Sequence, residues 1–284
     1  MRSVNSIELV IPSFNRLATL RNTLKHIRLL YPGVNICLGL QGEMPDDDFK
    51  AEIERDPHLR VMVYPVPSTT TTLNQCIFSS EADVILILDD DVTPCCNWIE
   101  SHLSAFAENP ALPYTCGREV RSTKARSSFS EWFRIIIESL FGMFLGKDKK
   151  LNGRIVGWIN TMGVMFGNFD QAGSCTINSP RGCNMALRKS SFLKIGGFNG
   201  AFRGNAWGFE ADFGVRMART VGYGQYLGNA IVIHHETPTG GSRNALKNRW
   251  VNDFFYNHKI LIHTLGPFAW IGALPRLIKR IYFS

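Results

Sequence analysis

Three consecutive aspartates are the feature of this sequence that most clearly suggests chemistry. Asp89, Asp90 and Asp91 directly follow the short apolar run VILIL at 84–88. Carboxylates at this spacing repel one another, and a divalent cation such as Mg²⁺ or Mn²⁺ relieves the repulsion because it takes hard oxygen ligands. Alternate residues of an extended segment share a face, so Asp89 and Asp91 are predicted to reach one site while Asp90 points away. The alternative is a solvated acidic turn, but it leaves the position after a buried strand unexplained, so we predict a metal–phosphate site.

Strands alternate with helices in the first ninety residues, and these elements must position the aspartates. Hydrophobic periodicity predicts strands at 7–12, 34–40, 60–64 and 84–88, and helices at 17–30, 46–56 and 71–80. This alternation predicts an α/β domain whose doubly wound, mostly parallel sheet is flanked by helices. Ligands bind at the carboxyl ends of the strands in such sheets. The aspartates and the segment PSFNR at 12–16 are both predicted at that edge.

Composition limits the class of protein. With 284 residues, 45% hydrophobic and 19% charged, the chain is not disordered and suits one large α/β domain. Seven cysteines, odd in number and without a C-x-x-C pair, argue against a disulfide framework or a structural zinc site and favour a reducing cytosol. The N-terminal sequence MRSVNSIELVIPSF has no long apolar core, so we expect no signal peptide.

Four motifs, in the expected order, resemble glycosyltransferase family 2. They are IELVIPSFNR, LILDDDV, RGCNMALRKSSFLKIGGF, and GFEADFGVRMARTVGY followed by IVIHH. The likeness covers roughly residues 6–243, with a poor match over 118–176. It implies a GT-A fold, a nucleoside-diphosphate sugar as donor, Mn²⁺ or Mg²⁺ as cofactor, and inversion at the anomeric carbon. It assigns Asp89 to the nucleotide end of the donor and Asp91 to the metal, and Asp90 is counted among the donor-binding residues.

The resemblance also suggests a catalytic base and a further metal ligand. Inverting transfer needs a base within reach of the acceptor hydroxyl. Family members usually have two adjacent acidic residues here, of which the second is the base; that position is Glu210, whereas Phe209 replaces the first. The alternative is that Glu210 is only an N-terminal helix acid. A histidine after the AIVI strand is a metal ligand in many GT-A enzymes, and we favour His234 over His235.

Donor contacts are predicted after the first two strands and in two later segments. Gln41 stands where the family usually has an aspartate that reads the base, and its amide can pair with a pyrimidine edge. Arg243, in the loop TPTGGSR, has a planar guanidinium suited to a pyrophosphate. The remaining predicted donor residues are Pro12, Ser13, Asn15, Arg16 and Asn74.

Four residues are predicted on the sugar and acceptor side. Gly182 allows the backbone to approach a sugar, and Asn184 offers an amide to its hydroxyls. Trp207 is either an aromatic platform for a sugar ring or a buried anchor. Asp212 lies at a predicted helix start, where it can cap the helix or pair with Arg216.

The formal charge of +7 is concentrated in two segments. Residues 118–154 and 245–284 each carry an excess of five positive charges, and both contain aromatic and aliphatic residues. The predicted domain organisation is a GT-A domain at 1–244, with an acceptor-side insertion at 118–180, and a C-terminal helical extension at 245–284. The longest charge-free run of this extension, 260–275, is too short and too interrupted to span a bilayer. Together with 132–145, the extension suits an anionic membrane surface. Packing on the core or at a dimer interface is the alternative.

We therefore predict a peripheral enzyme on the cytoplasmic face of the cell membrane, with a glycan or lipid-linked acceptor. Nucleic acid is not an expected partner, because the basic segments carry too much aliphatic bulk. A homo-oligomer is left open. Two other readings remain: a phosphatase of the haloacid-dehalogenase type, whose hhhDxDx(T/V) signature fits residues 88–93 (LDDDVT), and a membrane-bound module that binds a nucleotide sugar without turnover.

Overall fold

The structure, a computed structural model, describes residues 6–121, 128–142, 145–235 and 250–274. The strands are β1 (Ile7–Phe14), β2 (Asn35–Gln41), β3 (Leu59–Tyr64), β4 (Val84–Leu88), β5 (Val92–Pro94), β6 (Tyr114–Arg121), β7 (Lys150–Leu151), β8 (Arg154–Ile155), β9 (Trp158–Ile159), β10 (Met165–Phe166), β11 (Ser174–Ile177), β12 (Asn184–Arg188) and β13 (Gly224–His234). The helices are α1 (Leu17–Leu30), α2 (Asp47–Arg55), α3 (Thr69–Phe78), α4 (Trp98–Glu108), α5 (Ser128–Gly142), α6 (Lys189–Lys194), α7 (Phe209–Thr220) and α8 (Trp250–Leu265), with 3₁₀ helices at Lys147–Lys149 and Pro267–Gly272.

The first four predicted strands form the parallel part of the central sheet. Their spatial order is β3-β2-β1-β4, joined by the crossover helices that the periodicity predicts. Every residue of β4 is buried, as expected of a strand covered on both faces. The predicted elements of this half are confirmed, and their carboxyl ends meet at one edge of the sheet.

The second half of the sheet is mixed. Strand β12 lies antiparallel between β4 and β6, and β6 pairs in parallel with β13. The end of β13 also pairs antiparallel with β5, with His234 opposite Val92. This pairing brings the end of β13 beside the aspartates that follow β4.

Two apolar clusters cover the sheet. Leu9 and Ile11 of β1 belong to one, with α1 and α4, whereas Val10 belongs to the other, with α3 and α7. Successive strand residues point to opposite faces, so these clusters lie on the two sides of the sheet.

Helix α8 lies in the segment predicted as a C-terminal extension, and it packs on the sheet domain. Leu261 is fully buried in the same cluster as Phe213 of α7. The Asn257 side chain makes two hydrogen bonds to the backbone of Arg203. The Arg203 amide donates to Asn257 Oδ1 at 2.8 Å, and Asn257 Nδ2 donates to the Arg203 carbonyl at 2.9 Å. Residues 250–274 thus contribute to the core, in keeping with the alternative that this segment packs on the core. None of the helices in the described ranges combines the length and apolarity that a bilayer span requires.

Candidate active site

A cavity of about 730 Å³ opens at the edge where β1, β2 and β4 end. Many predicted site residues line it: Pro12, Ser13, Arg16, Gln41, Asp89, Asp90, Asp91, Gly182, Glu210 and His234. They come from six separate segments of the chain. The topology therefore gathers the acids, the histidine and the predicted donor contacts in one place.

Asp89, Asp91 and His234 form a group that suits a divalent cation. One ligand atom from each lies within 4.8 Å of the other two. His234 Nε2 is 3.2 Å from Asp91 Oδ1, because β13 pairs with β5 immediately after the aspartates. Two carboxylates and one imidazole are a reasonable donor set for Mn²⁺ and tolerable for Mg²⁺.

The electrostatics of this group favour a bound cation. Burial and the neighbouring Asp91 raise the pKa of Asp89 to about 7. Burial also acts to raise the pKa of Asp91, but hydrogen bonds from His234 and Arg16 outweigh it and hold that pKa at about 2. A cation beside Asp89 would offset the repulsion that keeps it from ionising.

Asp90 has a different role from its neighbours. Ser13 Oγ donates to its Oδ2 at 2.6 Å, and Arg16 Nη1 donates to its Oδ1 at 3.1 Å. Arg16 Nη1 also donates to Asp91 Oδ2 at 2.6 Å. Asp90 thus ties the aspartate turn to the end of β1. It lines the same cavity and shares Arg16 Nη1 with Asp91, which corrects the prediction that it points away from the site.

Glu210 lies in the first turn of α7 and faces the cavity. Gly208, at φ +92°, precedes the helix in the left-handed region that favours glycine. The Gly182 amide donates to Glu210 Oε1 at 3.3 Å, and a Cβ at Gly182 would lie 3.4 Å from the same oxygen. The carboxylate is half-exposed, so it can reach a molecule in the cavity.

Gln41 is buried in the wall of the cavity, at the end of β2. Its Oε1 accepts from the Ser68 amide at 2.6 Å, and Ser68 Oγ in turn accepts from Thr71 at the start of α3. Thr70 and Thr72 are buried beneath this turn. The run of four threonines therefore builds the start of α3.

The predictions for Asn74 and Asn184 are corrected, because their amides are used inside the fold, whereas Asn15 is exposed and its donor contact stays a prediction. Asn184 is fully buried, with Oδ1 accepting from Trp98 Nε1 at 2.8 Å and Nδ2 donating to the Ala230 carbonyl at 2.8 Å. Asn74 holds both the amide and the carbonyl of Phe198. Asn15, at φ +53°, accepts from the Glu43 amide. None of the three lines the cavity.

Asp212 and Trp207 do not line the cavity, so their predicted acceptor contacts are corrected, while the predicted pairing of Asp212 with Arg216 is confirmed. Asp212 is fully buried and accepts from Arg216 Nε at 2.8 Å and from Thr264 Oγ1 at 2.5 Å. Trp207 stacks on Phe254 of α8 with ring centroids 5.1 Å apart, so the anchor alternative describes it. Arg243 lies outside the described residues.

Several cavity residues were not predicted from the sequence. Arg203, Gly204 and Asn205 line its wall near Glu210, together with Asp253 of α8. Asp253 is the only acidic residue in 245–284, and this isolation was the signal that could have revealed it. Glu119 was not predicted either, because its strand lies in the region of poor motif match. Its Oε1 accepts from His234 Nδ1 at 2.8 Å.

Comparisons with known proteins agree with this architecture. The model of the family described as "Glycosyl transferase family 2" matches residues 8–170, which is more than half of the chain. The chain belongs to glycosyltransferase family 2, and the predicted resemblance is confirmed. It is thus a glycosyltransferase by family, and the motif at 88–93 follows the fourth strand of the chain, so the phosphatase reading is not supported.

Solved structures show the same fold at low sequence identity. A mycobacterial protein aligns with a TM-score of 0.57 and 13% identity over 92% of this chain and 75% of its own. GalNAc-T7 with UDP, GalNAc and Mn²⁺ aligns with a TM-score of 0.61 and 10% identity over 95% of this chain and 54% of its own. TarS of S. aureus (residues 1–349) with UDP-GlcNAc aligns with a TM-score of 0.60 and 10% identity over 98% of this chain and 73% of its own. The predicted GT-A fold is therefore confirmed, while a search of curated protein sequences found no match.

Proposed function

We propose that this chain is a metal-dependent, inverting hexosyl- or deoxyhexosyltransferase. It moves a sugar from a nucleoside-diphosphate sugar to a hydroxyl of a glycan or lipid-linked acceptor. The observation that carries the proposal is the meeting of Asp89, Asp91, His234 and Glu210 on one cavity large enough for a nucleotide sugar. An intact set of acids with a base candidate favours turnover over a module that only binds.

The nucleotide lies at the end of the cavity formed by Ser13, Gln41 and Ser68. Gln41 and Ser13 offer polar groups to the base and ribose, and Arg16 supplies positive charge near the phosphates. When bound to Asp89, Asp91 and His234, Mn²⁺ or Mg²⁺ would neutralise negative charge on the departing diphosphate.

Glu210 acts as the base on the acceptor side. Its carboxylate takes the proton from the acceptor hydroxyl while that oxygen bonds to the anomeric carbon from the face opposite the diphosphate. The bond from the anomeric carbon to the diphosphate oxygen breaks in the same step, and its electron pair leaves with the nucleoside diphosphate. The Gly182 amide holds Glu210 in place. A single base and one displacement predict inversion.

A membrane surface brings the enzyme to its acceptor. Large apolar side chains are exposed on α5 and on the C-terminal segment: Trp132, Ile135, Leu140, Phe268, Trp270 and Leu274. The turn at 160–163 contacts both segments, because Asn160 Nδ2 donates to the Phe141 carbonyl and the Gly272 amide donates to the Met162 carbonyl. We call the six exposed apolar residues, Trp132, Ile135, Leu140, Phe268, Trp270 and Leu274, the apolar patch. Basic residues in both regions suit anionic lipid on the cytoplasmic face.

A thermal-shift series tests the donor and the metal together. The probes are UDP, GDP, CDP, ADP and their common sugar conjugates, each with Mn²⁺, with Mg²⁺ and with a chelator. Uridine nucleotides come first, since two of the structural relatives hold them. We expect one base to stabilise the protein, with a shift that grows with ligand concentration and needs the metal. Asp91→Asn is the matched variant, in which the metal-dependent part should disappear.

Three results would contradict the proposal in whole or in part. Equal, metal-independent shifts for all nucleotides would exclude the site described. Selective, metal-dependent binding without release of nucleoside diphosphate under any acceptor mixture would favour the non-catalytic module. Release of product with retained anomeric configuration, measured by proton NMR, would overturn the inverting step alone.

A further inference from the structure

Behind the candidate metal ligands lies a second carboxylate, that of Glu119 on β6. His234 is bonded on both sides: Nε2 is 3.2 Å from Asp91 Oδ1, and Nδ1 is 2.8 Å from Glu119 Oε1. Asp91, His234 and Glu119 are all buried. The imidazole therefore stands between a carboxylate at the cavity and a carboxylate inside the sheet.

The strand register explains why Glu119 reaches the ring. β6 and β13 run in parallel, with Glu119 opposite Val232 and Arg121 opposite His234. Alternate residues of neighbouring strands share a face, so the Glu119 and His234 side chains lie on the same side of the sheet. The contact is part of the sheet geometry and does not depend on a loop.

Glu119 is itself held by two cations. Arg181 Nε donates to its Oε2 at 3.0 Å, and Arg121 Nε donates to its Oε1 at 3.1 Å. Burial acts to raise its pKa, but the hydrogen bond from His234 and the two guanidinium groups outweigh it and keep the pKa well below the usual range. The carboxylate stays charged and fixed, which makes it a strong acceptor for Nδ1–H.

Cys183 is the competing acceptor for the same ring. Its Sγ lies with Glu119 and His234 in a second group whose ligand atoms are within 4.8 Å of one another. A cysteine sulfur is a weak hydrogen-bond acceptor compared with a carboxylate oxygen. The carboxylate is therefore the group that sets the orientation of the ring.

We infer that Glu119 is a positioning residue for the metal site: it accepts Nδ1–H of His234 and so presents Nε2 to the cation beside Asp91. The inference rests on the proposed metal site. A histidine that donates one N–H to a carboxylate has a fixed tautomer and a more basic second nitrogen, and loss of such a partner weakens metal binding about 10- to 100-fold. Arg181 and Arg121 hold the carboxylate in turn.

The test measures Mn²⁺ binding to the full chain by isothermal titration calorimetry, with the metal alone as probe. Glu119→Leu removes the acceptor, and we expect its Kd to rise about 10- to 100-fold. Glu119→Gln keeps an oxygen that can accept Nδ1–H, and we expect an intermediate Kd. His234→Ala is the reference for loss of the ligand itself.

Glu8→Gln is the matched control. Glu8 is also a buried strand carboxylate and is held by Arg60 through two bonds of 2.7 and 2.8 Å, but it lies at the opposite end of β1. We expect this variant to lose stability and to keep the Kd of the unchanged protein. A rise in Kd of similar size in Glu8→Gln and in Glu119→Leu would reduce the Glu119 effect to general destabilisation and overturn the inference.

A second test uses the unchanged protein, so its outcome does not depend on the folding of a variant. ¹⁵N NMR of the histidine side chains with saturating Mg²⁺ is expected to show His234 with its proton on Nδ1. A proton on Nε2 would overturn the inference, as would unchanged Mn²⁺ affinity in Glu119→Leu when His234→Ala binds weakly. If the unchanged protein binds neither Mn²⁺ nor Mg²⁺, the metal site of the proposed function fails, and the inference fails with it.

Discussion

The carboxylates of the cavity differ in charge state and exposure because their neighbouring groups differ. Asp91 receives hydrogen bonds from Arg16 and His234 and stays charged, while burial beside Asp91 raises the pKa of Asp89 to about 7. Glu210 is half-exposed next to the Gly182 amide. Asp91 therefore suits a metal, and Asp89 needs the metal to ionise fully. Glu210 remains open to a substrate hydroxyl.

Glu210→Gln should separate chemistry from binding. The amide keeps the shape of the side chain but cannot take a proton, so we expect transfer to fall by a factor on the order of 10² to 10⁴. Metal-dependent stabilisation by the nucleoside diphosphate should stay close to that of the unchanged protein. Glu54→Gln, an exposed acid on α2, is the control for charge. Turnover near the unchanged rate would exclude Glu210 as the base.

His102 should make stability depend on pH. It is fully buried, its Nδ1 is 2.7 Å from Thr115 Oγ1 and its Nε2 is 3.1 Å from Asn184 Oδ1, and burial lowers its pKa from 6.5 to about 4. Between those values the unfolded chain binds a proton that the folded chain does not. The free energy of unfolding should therefore fall with decreasing pH, by at most about 1.4 kcal/mol per pH unit from this group.

Denaturant unfolding between pH 7 and 4 measures this slope. His102→Gln should be less stable at pH 7 and show a shallower loss toward pH 4. His263→Gln, at an exposed position on α8, should keep the full slope. Identical slopes for His102→Gln and the unchanged protein would contradict the assignment.

Elements act in this protein by bringing their ends to one edge of the sheet. β1, β2 and β4 supply the nucleotide end, the start of α7 supplies Glu210, and β13 supplies His234. Helix α8 adds Asp253 to the wall and is pinned there by Asn257 and Leu261. The helix therefore belongs to the construction of the cavity.

Leu261→Ala tests whether α8 is part of the cooperative core. Leu261 is fully buried, and its Cδ1 lies 2.9 Å from where a Cβ on Gly208 would stand, so its removal leaves a cavity under α7. We expect the free energy of unfolding to drop by about 2–5 kcal/mol. Lys259→Ala, exposed on the same helix, should cost far less. A small effect of Leu261→Ala in denaturant unfolding would mean that α8 is only loosely attached.

At the scale of the molecule, positive charge and exposed apolar surface are concentrated in two segments of the chain. Residues 118–154 and 245–284 carry the basic excess, and the apolar patch is drawn from within them. Exposed aromatics next to basic residues favour adsorption to anionic lipid. The same two segments also contribute Glu119 beside His234 and Asp253 in the cavity wall.

A double substitution in the apolar patch tests membrane binding. Phe268→Ser with Trp270→Ser removes two exposed rings, 67% and 52% accessible, and should reduce co-sedimentation with vesicles that contain anionic lipid. Leu29→Ser, at an 81% exposed site on α1, is the matched control and should bind like the unchanged protein. Binding should weaken with added salt. If the double variant sediments normally, the patch does not bind membrane; concentration-dependent self-association without vesicles would favour the dimer alternative.

Local patterns predicted much of the N-terminal half. The three- and four-residue spacing of leucines and isoleucine gives α1 the predicted bounds, 17–30, and the apolar run gives β4 its bounds, 84–88. Asp89, Asp91, Glu210 and His234 were chosen from their residue types and motifs, and they line one cavity. These features depend on short stretches of chain, so the sequence contains them directly.

The pairing of distant strands and the use of each amide emerge only in the folded chain. Asn184, Asn74 and Asp212 have residue types that suit sugar contacts, but the fold places them where backbone carbonyls and buried donors already use their hydrogen bonds. Glu119 and Asp253 reach the site through a parallel pairing of β6 with β13 and through the docking of α8. A polar side chain can bind a ligand when it faces the cavity and folding leaves part of its hydrogen-bonding capacity for the ligand, and contacts between residues far apart in the chain decide that.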